Sequence, residues 1–264
     1  MTAASTLPPE ALEAVEGLSV ERCGPVLHLK LDRPGARNAL TPAMYGELRR
    51  SIQAAAADCA TRAVLVTASG PAFCAGNDAA GFDLVRRLPK HERPGYRFMQ
   101  ALTQFSKPLI AAVSGNAVGI GATMLLHFDL VYCTPDARFH FPFTRLGLVP
   151  EFASSYFLPR MAGHARAARW LLLGEPMSAS EARDIGLVSA ITSDDLVEAD
   201  ARSAAERLAA LPASSVDACR ALMRAPKRQC AAEIMAAEMD QLSELISSDE
   251  TRARLARLKS PKET

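Results

Sequence analysis

The chain's 264 residues, 49% of them hydrophobic, are enough to bury the core of one large domain or two small ones. A formal net charge of +1 gives no general reason to expect nucleic acid or a membrane surface as partner. Six cysteines without a Cys-x-x-Cys pair indicate neither a zinc site nor a disulfide framework, so the expectation is a cytoplasmic protein with reduced thiols and no bound metal.

Met1 to Gly17 is rich in Ala, Ser, Pro and Glu, lacks a basic segment leading into an apolar core, and reads as a loose lead-in. Val26 to Leu31 alternates apolar and polar residues as a strand does, and stops at the turn residues Asp32-Arg33-Pro34-Gly35. Thr41-Pro42 signals a helix start, with Met44, Leu48 and Ile52 on one face and an end near Ala57. Ala63 to Thr67 is a short apolar strand. The small residues of Ser69 to Phe82 then allow another group to approach the backbone closely. Arg86 to Arg97 is basic and holds Pro89, Pro94 and Gly95, which predicts a mobile excursion or irregular helix before a helical run to Phe105, with a solvated surface as its plainer reading.

Leu109 to Val113 predicts a strand, followed by a turn with Gly115, Gly119 and Gly121 and a helical run through Met124 to Phe128. A helix start after such a turn leaves backbone N–H groups without partners and suits a negative oxygen. Thirty residues on, Val149-Pro150-Glu151 puts one carboxylate in an apolar setting; an acidic residue in the first turn of a helix is the plainer reading of Glu151. His164 to Leu173 and Ser178 to Ile185 are predicted helices, the second ended by Gly186, and Leu187 to Ile191 a last strand. From Asp194 the pattern is helical, with breaks at Leu211-Pro212 and near Pro226. Ile234, Met235, Met239, Leu242, Leu245 and Ile246 recur at helical spacing, continued by Leu255 and Leu258. That stripe covers either the chain's own core or another subunit. The fold class expected is α/β, with residues 1–17 as lead-in, 18–200 as body and 201–264 as a helical C-terminal region.

Taken alone, the glycine turn has three readings. It permits close helix packing, it serves an anion, or it is the cofactor turn of a short-chain dehydrogenase. The last requires an early position in the chain and a Tyr-x-x-x-Lys pair. None of Tyr45, Tyr96, Tyr132 or Tyr156 is followed four places on by lysine.

Four segments in order decide among them: Leu31-Asp32-Arg33-Pro34-Gly35-Ala36-Arg37-Asn38-Ala39-Leu40, Ala72-Phe73-Cys74-Ala75-Gly76-Asn77-Asp78, Lys107-Pro108 through Gly121, and Ala182-x-x-x-Gly186-Leu187-Val188. Together they resemble the crotonase, or enoyl-CoA hydratase/isomerase, superfamily. The resemblance implies a crotonase-like spiral of repeated ββα units, a helical trimerisation region, a homotrimer or hexamer, and an acyl-CoA thioester as substrate, with coenzyme A part of that substrate and no separate cofactor. It also implies an oxyanion hole from the backbone N–H groups of Asn77 and Ile120, which is what a thioester enolate needs.

The two glutamates that hydratases of this superfamily use fall here on Thr123 and Phe143, neither of which transfers protons. The run from Phe139 to Tyr156 is similar to the peroxisomal-type 3,2-trans-enoyl-CoA isomerase branch, which implies Glu151 as the single proton shuttle. Substrate-binding positions implied by the resemblance are Arg37, Ala39, Ala75, Gly76, Asp78, Ala79 and Gly119, with Asp78 also holding its loop, and with Arg224 or Lys227 reaching phosphate. His28, His127 and His140 lack metal-ligand spacing and read as structural. The alternatives left open are a hydratase or other enolate chemistry on an unusual acyl-CoA, a non-catalytic CoA-thioester-binding protein, and the dehydrogenase.

Overall fold

Strands that cross between two sheets build the body. The computed structural model describes residues 15–78 and 81–259, apart from the side chains of residues 83–85, 226–229 and 258–259. In chain order the elements are β1 (Leu18–Cys23), β2 (Val26–Leu31), α1 (Pro42–Ala57), β3 (Ala63–Ala68), β4 (Ala72–Cys74), α2 (Gly81–Arg87), α3 (Pro94–Gln104), β5 (Leu109–Val113), β6 (Asn116–Val118) and α4 (Ile120–Thr123). There follow β7 (Leu130–Cys133), β8 (Arg138–His140), α5 (Ser154–Ala162), α6 (His164–Leu171), β9 (Met177–Ser178), α7 (Ala179–Asp184), β10 (Ala190–Ile191), α8 (Val197–Ala210), α9 (Ala213–Leu245) and α10 (Asp249–Lys259).

One sheet has the order β1-β2-β3-β5-β7-β10 and the other β4-β6-β8-β9. The β1–β2 and β8–β9 pairs are antiparallel and the rest parallel. Each of β3-β4, β5-β6 and β7-β8 gives one strand to each sheet before a helical segment carries the chain to the next turn. This is the expected spiral of ββα units. Strands β3 and β5 are apolar and buried on both faces, as covered parallel strands require. Val64, Val66, Leu109, Ala111 and Val113 face the main core, while Ala63, Leu65, Ile110 and Ala112 pack with Val197, Ala201, Ala205 and Ala209 of α8.

Helix α1 starts as its sequence dictates. Thr41 Oγ1 accepts from the Met44 N–H at 3.2 Å, Pro42 opens the helix, and Met44, Leu48 and Ile52 are buried. Thr41→Ala should therefore cost about 1 kcal/mol, read as a lower urea midpoint with an unchanged slope.

The structure departs from the sequence reading at several points. Of the readings open for the basic stretch 86–97, it takes the irregular helix, with the end of α2, a 3-10 turn at Lys90–Glu92 and the start of α3. The helix after the glycine turn is one α turn followed by a 3-10 turn at Met124–His127. It stops because Asp129 opens β7, where its carboxylate takes the Leu109 N–H at 2.8 Å and Arg220 Nε at 2.7 Å. A helix so short has little macrodipole, so an anion here depends on individual N–H groups. The last strand is only two residues long because Leu187 and Val188 donate back to Ala182 O at 2.9 and 3.1 Å.

The expected break near Pro226 is absent, and α9 runs through it. An interior proline costs about 3 kcal/mol, offset here by anchors on both sides. Arg220 is buried before it, and Ala231, Met235, Met239 and Leu242 join the main core after it. The apolar stripe thus covers the chain's own core, with Ile246 and Leu255, whereas Leu222 and Met223 are exposed. No helix among the described residues is long and apolar enough to cross a membrane.

Candidate active site

The chain leaving β4 is stitched to the turn before α1. Asn38, buried, receives the Arg33 N–H on Oδ1 at 2.8 Å and donates from Nδ2 to Ser69 O and Ala72 O, each at 2.8 Å. Leu40 N donates to Gly76 O at 2.8 Å, and Asp78 N to Leu40 O at 3.0 Å. In this parallel bridge Asn77 is the residue opposite Leu40, so its own N–H points to the other side. Tyr45 Oη fixes the Asn77 side chain by donating to Oδ1 at 2.6 Å. Arg33 Nη1 meets Asp78 Oδ2 at 2.5 Å, which is the loop-holding role expected of Asp78.

The glycine turn lies against this loop. A Cβ on Gly76 would stand 3.0 Å from Val118 O, and one on Gly121 would stand 2.7 Å from Cys74 Cβ and 2.8 Å from Cys74 O. Only glycine allows the two backbones this approach. Gly119 O accepts from the Ala122 and Thr123 N–H groups at 2.9 Å, and Ile120, first residue of α4, has an N–H that the helix leaves unsatisfied.

Both segments border a cavity of about 250 Å³, whose wall includes Ala75, Gly76, Asn77, Asp78, Gly119 and Glu151. Six of the sequence-predicted positions are thereby brought together. Ile120 adjoins the wall through the backbone after Gly119, while its side chain is buried in the core. Arg37, exposed, and Ala39, half-buried, lie outside the wall; Ala79 and the side chain of Lys227 lie outside the described residues, and Arg224 is half-buried away from the cavity. Thr123 is buried with its hydroxyl unpartnered and is not in the wall, whereas Phe143 is.

Glu151 precedes α5 by three residues, so it is not an acid in the helix's first turn. It is 6% exposed, and among the described residues its carboxyl group has no hydrogen-bond or ion-pair partner. Burial, with a smaller contribution from Glu238, raises its pKa to about 8. The backbone behind it is over-determined. Glu151 O accepts from Ser154 N at 3.1 Å and Ser154 Oγ at 2.7 Å. Phe152 and Ala153 have φ of 60° and 57°, a left-handed conformation that non-glycine residues adopt only when clamped.

One clamp is His127, whose Nε2 lies 2.9 Å from Phe152 O and whose ring stacks on Phe152 at 4.0 Å. Burial lowers the His127 pKa to about 3, so the ring is neutral, with Nε2–H donating to the carbonyl. The other clamp is Glu238 of α9, which accepts from Ala153 N at 2.7 Å, from Ser155 N at 3.1 Å and from Ser155 Oγ. Its own pKa is pushed up to about 7 by burial.

His28 and His140 are likewise engaged, with Thr67 Oγ1 at 2.8 Å and Asn116 Oδ1 at 3.1 Å. Among the described residues one group, Glu21, Cys23 and His28, gathers three possible metal-ligand atoms within 4.8 Å. Thr67 already occupies His28 Nε2, and Arg202 Nη1 stands 3.8 Å from the Cys23 sulfur.

Sequence reasoning passed over Tyr45, Arg93 and Glu238. For Glu238 a signal was present: it lies in the stripe of Met235, Met239 and Leu242, a carboxylate at a core-facing position. Apart from Asp78, Glu151 and Arg93 the cavity wall is largely apolar, with Leu40, Phe82, Met99, Leu148, Met239 and Leu242. Such a cavity holds an apolar group beside an isolated carboxyl, with the Asn77 and Gly119 backbone at its edge.

A family model described as enoyl-CoA hydratase/isomerase matches residues 21–261. Rat enoyl-CoA delta isomerase 2 is 33% identical over 219 residues, 81% of this chain and 56% of that protein, so the chain spans little more than half of that relative. The 2,3-dehydroadipyl-CoA hydratase of Escherichia coli K12 is 34% identical over 238 residues, 89% of this chain and 92% of that protein. Among solved structures, Pseudomonas aeruginosa OdaA superposes with a TM-score of 0.89 at 43% identity, covering 94% of this chain and 100% of that one.

Proposed function

The chain belongs to the enoyl-CoA hydratase/isomerase family, and on that premise we propose that it moves the double bond of a 3-enoyl-CoA to the trans-2 position. The observation that carries this reading is the carboxyl of Glu151, the one in the cavity wall without a partner among the described residues, Asp78 being tied to Arg33. Glu151 as carboxylate takes the proton from C2; the C2–H electron pair moves into a dienolate whose oxygen accepts from the Asn77 and Ile120 N–H groups. As the thioester carbonyl reforms, the C1–C2 pair shifts to make the C2–C3 double bond and the C3–C4 π pair takes the proton from Glu151 to make the new C4–H bond. Atoms balance within the substrate, and neither water nor an oxidant enters. Desolvation that brings the base near operating pH favours this task.

The substrate panel of 3-enoyl- and 2-enoyl-CoAs in deuterated water tests it: trans-2 product from the 3-enoyl members is expected, with deuterium at C2 or C4 only where the Glu151 proton exchanges before it is returned, and no double-bond migration with any member would end the reading. Hydration is the second reading, favoured by the Escherichia coli relative, which matches over nearly its whole length. A 3-hydroxyacyl product from the 2-enoyl members would replace isomerisation with it.

If Glu151 is the base, kcat/KM rises with pH along a limb centred near 8, since the folded enzyme must lose that proton. Glu238 contributes to the raised value, so Glu238→Gln moves the limb to lower pH. A limb unmoved by that change, in a protein that still folds, would exclude the coupling. Assembly as a homotrimer or hexamer belongs to the same reading. Exposed Leu222 and Met223 on α9 support it as apolar surface the chain's own core leaves uncovered, and light scattering showing a monomer would remove it.

A further inference from the structure

One charge in the cavity wall has no part in double-bond migration. Arg93, immediately before α3, is 6% exposed and lines the cavity with Met99, Met239, Leu242 and Ile246. Its guanidinium is tethered by neutral groups: Nε donates to Leu88 O at 3.2 Å and Nη1 to Ser243 Oγ at 3.0 Å, with Met239 Sδ 3.3 Å from Nη1. Among the described residues Nη2 has no partner and no carboxylate pairs with Arg93. Candidate counter-ions are used elsewhere: Asp240 is held by Lys90 at 2.5 Å and Asp78 by Arg33 at 2.5 Å.

Burial alone lowers the Arg93 pKa. A guanidinium stays protonated even so, and a buried cation without an anion is costly unless a ligand supplies one. Its flat fork is matched by a carboxylate.

We infer that Arg93 receives a carboxylate at the far end of the acyl group, so that the preferred substrates are CoA thioesters of dicarboxylic acids. The inference rests on the reading of this cavity as an acyl-CoA site. Ser243 and Leu88 hold the fork; the apolar wall of the same cavity accepts the methylene chain; the distal anion supplies the missing charge.

Calorimetry with matched saturated acyl-CoAs, one ending in a methyl group and the other in an ω-carboxylate, tests this without turnover. The wild-type protein should bind the ω-carboxylate form tighter by about tenfold or more. Arg93→Met should reverse the preference and Arg93→Lys keep part of it, whereas Ser243→Ala, which removes only a tether, should leave its direction unchanged. Equal or tighter binding of the methyl-ended thioester by the wild type overturns the inference whatever the variants do. Binding of neither thioester overturns both it and the acyl-CoA reading. A clear ω-carboxylate preference without isomerisation of any enoyl-CoA sinks the isomerase reading and leaves Arg93 standing.

Discussion

Replacing Glu151 by glutamine should lower kcat for isomerisation by about two to four orders of magnitude, the range by which a positioned acid–base group contributes. Glutamine keeps the shape of the side chain and removes the proton carrier, and among the described residues the other carboxyl in the wall, Asp78, is bound to Arg33. Thioester affinity should change little, since the cavity wall and the two amides remain. Single-turnover exchange of the C2 proton, beside calorimetry with a saturated acyl-CoA, measures the two separately; full activity in the variant would sink the proton-shuttle role.

The same substitution has a thermodynamic signature of opposite sign. Glu151 has a folded pKa of about 8, above the ordinary carboxylate value, so the native state holds its proton more tightly than the unfolded chain. The linked stability is full below the unfolded value and is lost as pH rises through about 8. Glutamine has no proton to lose. The variant should therefore melt above the wild type in alkaline buffer and draw level near pH 5, as thermal unfolding across pH will reveal.

Gly121→Ala should lower kcat by about two to three orders of magnitude, comparable with loss of an oxyanion-hole donor. The new Cβ would meet Cys74 Cβ and O at 2.7 and 2.8 Å, and backbone on one side cannot yield without moving the loop that ends in Asn77. The two N–H groups then lose their common aim. Because they act on charge that develops only in the transition state, kcat and kcat/KM should fall together, with binding of a saturated thioester retained. A fall in affinity with unchanged kcat would instead make the contact one of ground-state binding.

What the sequence disclosed follows from how local each signal is. Strands β2, β3 and β5 and helix α1 are readable because their periodicity and capping lie within a few residues. Strands β4, β6 and β8 have three residues each, too few to show a period, and exist only because distant neighbours supply their ladder. The site divides in the same way. Glu151 and the two glycine-bearing loops sit in recognisable segments. Arg93 lay in a basic stretch indistinguishable from a solvated face, and Glu238 is 85 residues from the Ala153 amide it secures. The Pro226 expectation failed because a local rule met a stronger tertiary one: the burial of the turns that flank it.

The clamp of Glu238 on the left-handed turn after Glu151 also sets an order of events in the life of the molecule. A chain growing from its N-terminus has every strand of both sheets and both glycine-bearing loops before α9 exists. Until that helix docks, the turn after Glu151 lacks two of its backbone tethers, those to the Ala153 and Ser155 amides. A nascent chain can thus have both sheets formed before this turn is secured, and on the proposed function its competence would come only with the last fifth of synthesis.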